Sequence, residues 1–420
     1  MLSADRNDVL TRVGSGSPMG ELLRRYWHPV AFTDEVITGR TRRARLLGED
    51  LVLFRTADGL PHVIGTRCPH RGASLAYGIV ESDGLRCAYH GWLFDGTGAC
   101  REQPSEPAEA RFHERVRADA WPARDLGGLV FAYLGPDPAP ALPHWDLFCW
   151  DDAIRDVGYA TIPCNFLQIM ENAVDPHHVE WLHGRYSRWL RSHDLAAETP
   201  GTFGKQHHEV AFDRVDYGLL KRRRLSGQQR TDEDWSVGHP LVFPTMLRVG
   251  GGGSYGFHIR VPEDDTTTRM LWYTAYRPGG LPVPDPGPVT RYEVPWREPD
   301  GSLRVDHVEG QDIMAWVTQG PIADRTREHL GSVDRGVILL RQLYFEQIDR
   351  VHRGLDPMGV RRGPDAEVVV DLPQEEDKFG DGLGFVRDFL SAAHARFSPR
   401  RAEIARRYSE VGLDVGQVTA

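Results

Sequence analysis

Two patterns of hydrophobic and polar positions divide the chain. Over residues 29 to 133, short alternating runs such as Leu51–Arg55 and His62–Thr66 are separated by Asp-Gly turn dipeptides. A period of two residues between such turns is typical of antiparallel strands joined as hairpins. The first part of the chain therefore predicts a small antiparallel β domain.

The second and longer part mixes helical and strand-like segments. Apolar residues recur with helical spacing in three segments: Cys164–His183, interrupted at Pro176, Asp312–Gln319 and Arg325–Val351. Alternation marks three others: Thr245–Val249, Ser254–Val261 and Thr267–Tyr276. Because both periods occur in one stretch, this part predicts an α+β fold with a sheet and packed helices.

A proline-rich stretch separates the two parts. Residues 135–143 read GPDPAPALP, with four prolines in nine residues, which is typical of a stiff connector. We predict a helical segment at 1–28 that packs on the catalytic part, a β domain at 29–137 and an α+β domain at 138–420.

Composition and charge exclude several classes of protein. With 50 basic and 60 acidic residues the formal charge is −10, which disfavours nucleic-acid binding. The sequence has no apolar run of about 18 residues that would span a membrane, and its first residues lack a signal-peptide core. Five cysteines are too few, and odd in number, for a disulfide framework. The expected location is the cytoplasm.

The first candidate site consists of Cys68, His70, Cys87 and His90. They form C-x-H and C-x2-H motifs with 16 residues between them. Two thiolates and two imidazoles suit either a structural zinc ion or a Rieske [2Fe–2S] cluster. Each motif offers one cysteine and one histidine, so each reaches both irons of a cluster, whereas zinc fingers pair like with like. The order of the residues favours the cluster.

The second candidate site has the spacing D-x2-H-x4-H, made by Asp175, His178 and His183. Two histidines five residues apart converge on one ion if the helix breaks locally, and an added carboxylate gives the 2-His-1-carboxylate set of non-haem Fe(II) oxygenases. Histidine pairs on helices are often structural, but an electron donor upstream needs an acceptor. His177 is ambiguous, and the spacing selects His178.

The residues alone leave the carboxylate ligand open. Asp312 is one candidate, and Glu309 and Asp306 lie close to it in the sequence. Asp312 is equally explained as a first-turn carboxylate that stabilises a helix N-terminus. Asp175 is likewise explained either as a residue that orients His178 or as a helix cap.

The paired motifs resemble the oxygenase (alpha) subunits of Rieske non-haem iron oxygenases. Gln311–Met314, Gln319–Arg325 and Glu328–Gly331 are similar to the phthalate-dioxygenase-like branch of that family. The run Cys164–Gln168 is similar to the aromatic O-demethylases of the branch, although Phe166 stands where tryptophan is expected.

The resemblance implies an N-terminal Rieske domain followed by a helix-grip-like catalytic domain, with an antiparallel sheet flanked by helices. It implies a [2Fe–2S] cluster, a mononuclear Fe(II) and O2 as co-substrate. It makes Asp312 the third iron ligand beside His178 and His183. Asp175 then bridges a cluster histidine, His90, to His178 across neighbouring subunits of a homotrimer.

The chain carries no reductase motif that fits its context. Its G-x-G-x-x-G match, Gly251–Gly256, leads into an alternating strand, whereas a dinucleotide motif opens a helix. We expect a hairpin turn there, and NAD(P)H used through a separate ferredoxin or reductase. The predicted reaction is O-demethylation or ring hydroxylation of an aromatic acid. The alternatives are a Rieske electron-transfer protein and a zinc-stabilised binding module.

Overall fold

The computed structural model describes residues 1–195, 201–363 and 366–412, and the chain groups into two compact units. The β unit comprises Arg12–His144 and Val360–Val368. The α+β unit comprises Met1–Thr11, Trp145–Gly359 and Val369–Ala420. Among the described residues, no helix is long and apolar enough to cross a lipid bilayer.

The N-terminal segment divides between the units. The sequence prediction placed all of residues 1–28 on the catalytic part, but only helix α1 (Ala4–Thr11) groups with the α+β unit. Helix α2 (Pro18–Leu23) groups with the β unit, where Arg24 pairs with Glu49 at 2.7 Å. Ser17 caps the N-terminus of α2, since its side chain accepts a hydrogen bond from the Gly20 amide. The boundaries predicted for the functional domains, at residues 28/29 and 137/138, remain a prediction.

Three antiparallel sheets build the β unit, in the strand orders β1-β11-β10, β2-β3-β4-β9 and β5-β6-β7-β8. The strands are β1 (Trp27–Phe32), β2 (Arg42–Leu46), β3 (Glu49–Arg55), β4 (Pro61–Gly65), β5 (Ile79–Val80), β6 (Leu85–Arg86), β7 (Leu93–Phe94), β8 (Cys100–Glu102), β9 (Ala120–Trp121), β10 (Ala123–Leu126) and β11 (Leu129–Tyr133). Cys68 and Cys87 belong to the same buried core as Val52 and Phe54 of β3. The core therefore anchors the base of both cysteine loops.

The α+β unit is built on one eight-stranded sheet, ordered β13-β14-β15-β16-β17-β18-β12-β19. Its strands are β12 (Ile154–Ile162), β13 (His207–Val215), β14 (Gly218–Leu225), β15 (His239–Val242), β16 (Met246–Gly251), β17 (Ser254–Asp264), β18 (Thr267–Tyr276) and β19 (Thr290–Glu293). Neighbouring strands are antiparallel, except that β19 runs parallel to β12. The predicted α+β class with an antiparallel sheet and flanking helices is confirmed.

Helices cover this sheet. They are α3 (Asp146–Cys149), α4 (Phe166–Val174), a π-helix (Val179–Tyr186), α5 (Ser187–Ser192), α6 (Glu233–Ser236), α7 (Val308–Val317), α8 (Arg335–His352), α9 (Gly382–Ala392) and α10 (Arg401–Glu410). Helix α4 contacts β17 and helix α9 contacts β16. The β16–β17 connection is the predicted hairpin turn, since Gly251 pairs with Ser254 across it.

Two helices begin elsewhere than the hydrophobic spacing predicts. Helix α7 begins at Val308 rather than at Asp312. The apolar pattern misses the first turns of α7, because the residues buried there include the polar Glu309 and Gln311. Helix α8 begins at Arg335 rather than at Arg325. Asp312 therefore lies inside α7 and is not a first-turn carboxylate.

Candidate functional site

The first candidate site lies on two loops of the β unit that share one hydrogen-bond pattern. In each loop the cysteine amide donates to the carbonyl five residues on, at 2.9 Å for Cys68 and 2.8 Å for Cys87. The amide four residues on donates back to the cysteine carbonyl, at 2.8 and 3.0 Å. That residue is Gly72 or Gly91, both with φ of 75°, a conformation that favours glycine.

The four predicted cluster ligands lie at the ends of these loops. Cys68 and Cys87 are buried and form no disulfide with any described residue. The rings of His70 and His90 lie 4.5 Å apart, and Trp92 stacks on His70 at 4.3 Å. Nδ1 of His70 is buried without a hydrogen-bond partner among the described residues. A buried nitrogen with a free lone pair suits a metal ligand.

The four side chains are spaced too widely for a single ion. Among the described residues, two sets of three His, Cys, Asp or Glu donor atoms lie within 4.8 Å of one another, and neither set includes these four. Zinc holds its ligands at about 2.0–2.3 Å, which requires a tighter group. Burial raises the pKa of the Cys68 thiol to about 11, although the His70 amide lowers it, so a thiolate there needs cationic partners. This donor set fits a two-iron cluster better than zinc.

The second candidate site gathers His178, His183 and Asp312 in the α+β unit. Oδ1 of Asp312 lies 3.2 Å from Nε2 of His183 and 3.8 Å from Nε2 of His178. The donor atoms of all three residues lie within 4.8 Å of one another. Two imidazoles and one carboxylate on a shared point are the donor set of a mononuclear non-haem iron site.

A π-helix brings the two histidines together. An α-helix turns about 100° per residue, so it directs side chains five residues apart about 140° away from each other. The chain instead forms a π-helix, Val179–Tyr186, which directly follows His178 and includes His183. Its i→i+5 hydrogen bonds bring residues five apart onto one face. The sequence predicted a helix break at this point, and the structure has a widened helix.

Helix α7 supplies the carboxylate from far along the chain. The structure brings Asp312 to the histidines, whereas Asp306 pairs with Arg396 and with His307. Burial raises the pKa of the Asp312 carboxyl, but His183, His178 and Arg260 together outweigh burial and the pKa is lowered. Burial lowers the pKa of His183, but Asp312, with Gln311 and Glu309, outweighs burial and the pKa is raised. Each charge therefore stabilises the other.

Asp175 lies near Nδ1 of His178, while Nε2 of the same ring is near Asp312. Its Oδ2 lies 3.7 Å from Nδ1 of His178, and its Oδ1 accepts from the His177 amide at 2.8 Å. Burial raises the pKa of the Asp175 carboxyl, but His178 and the His177 amide lower it to about 2. The residue thus both holds the following turn and faces the ring of His178.

A further polar group was not predicted. Donor atoms of His177, Glu180 and His207 lie within 4.8 Å of one another, and only the i, i+3 spacing of the first two is visible in the sequence. Burial, with the positive charges of Arg223 and Lys221, lowers the pKa of His207 to about 3. Those charges oppose a second cation, so we do not treat this group as a metal site.

Two buried arginines lie on the central strands of the sheet, Arg248 on β16 and Arg260 on β17. Arg248 is occupied, since its Nη1 donates to buried Asp146 at 2.9 Å. Arg260 is 1% exposed and donates to the His258 carbonyl at 2.7 Å. Among the described residues, Arg260 has no carboxylate within 4.0 Å, yet its charge lowers the pKa of Asp312. Within the described part of the chain, Arg260 is therefore a buried cation near the site without an ion-pair partner.

Three family models match successive parts of the chain. The Rieske [2Fe-2S] domain matches residues 26–118. The vanillate O-demethylase oxygenase C-terminal domain matches residues 162–289, and the LigXa C-terminal domain like model matches residues 303–370.

Several curated relatives match over most of their length. The 5,5'-dehydrodivanillate O-demethylase oxygenase subunit of Sphingobium sp. is 41% identical, covering 89% of this chain and 87% of its own. The phenoxybenzoate dioxygenase subunit alpha of Ectopseudomonas oleovorans is 35% identical over 84% and 87%. The phthalate 4,5-dioxygenase oxygenase subunit of Pseudomonas putida is 32% identical over 86% and 89%.

Solved structures share the fold. NdmA of Pseudomonas putida CBB5, with caffeine, has a TM-score of 0.60 at 19% identity, over 80% of this chain and 94% of its own. The oxygenase in a ferredoxin complex of carbazole 1,9a-dioxygenase has a TM-score of 0.55 at 20% identity, over 78% and 91%. At these identities the likeness concerns the fold alone.

Proposed function

We propose that this chain, which belongs to the Rieske non-haem iron oxygenase family, is an oxygenase component that oxidises an aromatic acid with O2 and external electrons. The observation that carries the proposal is the convergence of His178, His183 and Asp312 in the α+β unit. An electron-transfer protein needs only the Rieske part, and a zinc-stabilised module needs no second metal-binding set. The second set is what an oxygenase requires.

The proposed ligands form two sets. A [2Fe–2S] cluster is held by Cys68, His70, Cys87 and His90, and a mononuclear Fe(II) by His178, His183 and Asp312. When bound, the cluster supplies single electrons and the Fe(II) supplies open positions for O2 and substrate. The lone pair at buried Nδ1 of His70 and the shared Asp312 oxygen support these assignments.

Asp175 serves as a positioning residue in this proposal. Its carboxylate faces Nδ1 of His178 and so holds the ring with Nε2 toward Asp312. A carboxylate in this place fixes the tautomer and raises the basicity of a metal-binding histidine. We further propose that Asp175 accepts from His90 of the partner subunit in a homotrimer.

The substrate is proposed to be an aromatic carboxylic acid. The relatives described above are named for dehydrodivanillate, phenoxybenzoate and phthalate, all of which are carboxylates. Arg260, buried and without an ion-pair partner among the described residues, is suited to hold such a group by a charge-assisted hydrogen bond. Arg248, on the adjacent strand β16, is already paired with Asp146.

Two outcomes of the reaction are proposed. O-demethylation of a methoxylated acid is supported by the 41% identical relative, and ring hydroxylation by the dioxygenase relatives. The residues described above serve either outcome, because the carbon that faces the metal decides between them. Electrons are proposed to come from NAD(P)H through a reductase and a ferredoxin, in line with the ferredoxin complex of a structural neighbour.

Product analysis tests the proposal. The protein is combined with a ferredoxin, an NADH-dependent reductase and a panel of phthalates, methoxybenzoates and their neutral amides. We expect NADH-dependent O2 uptake with an acid, releasing formaldehyde and a phenol or forming a hydroxylated ring. The amides should react poorly. O2 uptake that no aromatic compound stimulates, with no oxidised product, would overturn the proposal.

A further inference from the structure

The amide of Gln311 contacts the second candidate site from behind. Gln311 precedes Asp312 on α7 and is 2% exposed. Its Oε1 lies 3.0 Å from Nδ1 of His183. Its Nε2 donates to the Val305 carbonyl at 3.0 Å and to the Ser187 hydroxyl at 2.9 Å. The side chain is therefore fully hydrogen-bonded in a buried position.

The Val305 carbonyl fixes which way this amide points. A backbone carbonyl only accepts hydrogen bonds, so the NH2 group of Gln311 must face Val305. The opposite amide orientation would place two oxygens against each other at 3.0 Å. Oε1 must then face His183, and because Oε1 only accepts, Nδ1 of His183 must carry the proton.

A proton on Nδ1 of His183 determines the state of the other ring nitrogen, Nε2. A neutral imidazole protonated at Nδ1 has its lone pair at Nε2. That lone pair lies 3.2 Å from Oδ1 of Asp312, which is also an acceptor. Two acceptors at this distance repel each other unless a positive charge, either a proton or a metal ion, lies between them. The hydrogen bond from His183 to Gln311 therefore shapes the site for a cation.

We propose that Gln311 is a positioning residue that fixes the Nδ1–H tautomer of His183 and thereby sets the metal affinity of the site. The inference rests on the proposed mononuclear metal centre and adds a residue that is not one of its ligands. One helix then provides both a ligand, Asp312, and the group that orients another ligand, His183.

A matched control separates this role from simple packing. Gln168 is also a buried glutamine, 1% exposed. Its amide donates to the carbonyls of Trp316 and Gly320 and accepts from the Ala323 amide, each at 2.9 Å. Among the described residues, Gln168 makes no hydrogen bond to a proposed ligand. Replacing Gln168 removes a similar hydrogen-bond set while leaving His183 untouched.

The test measures Co2+ affinity in the full chain with its cluster intact. Mononuclear iron is removed with a chelator, and Co2+ binding is followed by competition dialysis for wild type, Gln311→Met, Gln311→Glu and Gln168→Met. Gln311→Met should weaken Co2+ binding about 10- to 100-fold, the usual effect of losing the partner of a metal-binding histidine. Gln311→Glu keeps an acceptor toward His183 and, protonated on its other oxygen, a donor toward the Val305 carbonyl, so it should bind Co2+ more tightly than Gln311→Met. Gln168→Met should match wild type, and cluster absorbance should be unchanged throughout.

Each other outcome has a definite reading. Wild-type affinity in Gln311→Met, or equal losses in Gln311→Met and Gln168→Met, would overturn the role of Gln311 while leaving the metal centre standing. Equal affinity of Gln311→Glu and Gln311→Met would also overturn it, because the acceptor would then not matter. Failure of wild type itself to bind Co2+ or Fe2+ would instead refute the proposed metal centre on which the inference rests.

Discussion

At the scale of single residues, the second site depends on the side chain that faces Nδ1 of each histidine. Gln311 faces Nδ1 of His183 at 3.0 Å, and Asp175 faces Nδ1 of His178 at 3.7 Å. The two partners differ in charge, since one is an amide and the other a carboxylate with a lowered pKa. His178 therefore faces the more polarising partner, and removing the charge of Asp175 should affect more than ring orientation.

Replacing Asp175 with asparagine tests this role. Asp175→Asn keeps the shape and the contact with the His177 amide but removes the charge that faces His178. We expect normal iron and sulfide content with product formation reduced by about 100-fold, the upper end of typical losses for such partners. Metal analysis and product assays on the same preparation measure both. Turnover at the wild-type rate would exclude a role for the charge.

The sequence reveals some of these residues and hides others. Cys68, His70, Cys87 and His90 stand in two short motifs, so spacing alone predicts them. Asp312 is different, because its partners lie far away in the chain and only folding brings α7 to the π-helix. The sequence also does not show that Arg260 lacks an ion-pair partner among the described residues, because this depends on Asp146 pairing with Arg248 instead.

At the scale of elements, the hydrophobic pattern predicts strands better than helix ends. The segment Thr267–Tyr276 matches β18 at both ends, because alternation follows directly from a strand's two faces. The first turns of α7 escaped prediction because Glu309 and Gln311 are polar yet buried. The π-helix was not predicted either, because a widened helix has no characteristic apolar spacing.

Strand β12 carries a buried carboxyl whose protonation should affect stability. Asp156 accepts from Ser398 at 2.5 Å and from Tyr276 at 3.4 Å. Burial raises its pKa to about 7, from an ordinary value of 3.8 for an aspartate. Between these values the folded chain keeps a proton that the unfolded chain has lost. The contribution of this group to the free energy of unfolding therefore falls as pH rises, by at most about 1.4 kcal/mol per pH unit.

The variant Asp156→Asn removes this dependence. We expect its apparent Tm, relative to wild type, to rise progressively from pH 4 to pH 7 and then to level off. Other titrating groups cancel in the difference, which scanning calorimetry or circular dichroism on both proteins measures. A difference in Tm that is constant with pH would show that Asp156 is not protonated in the folded chain.

At the scale of the whole molecule, the two proposed centres lie in different compact units. The cluster loops belong to the β unit, and the π-helix and α7 belong to the α+β unit. We propose that electrons cross between subunits of a homotrimer, with Asp175 at the crossing. A head-to-tail ring repeats one heterologous contact, so every subunit serves as donor to one neighbour and acceptor to the other.

Mixing two inactive variants tests the crossing. Cys87→Ser lacks the cluster, and His178→Ala lacks the mononuclear metal. In mixed rings made from equal amounts, about one contact in four joins an intact cluster to an intact metal site. We expect about a quarter of wild-type product formation after co-expression and none from either variant alone. No activity in mixtures shown to contain both variants would place the electron path within one chain.

We propose that one chain holds two distinct iron centres. Metal and acid-labile sulfide analysis of the purified protein and of His178→Ala distinguishes two centres from one. We expect about three irons and two sulfides per wild-type chain. In His178→Ala we expect about two irons and two sulfides, with an unchanged cluster spectrum. A colourless protein with stoichiometric zinc, or the same iron content in both proteins, would contradict it.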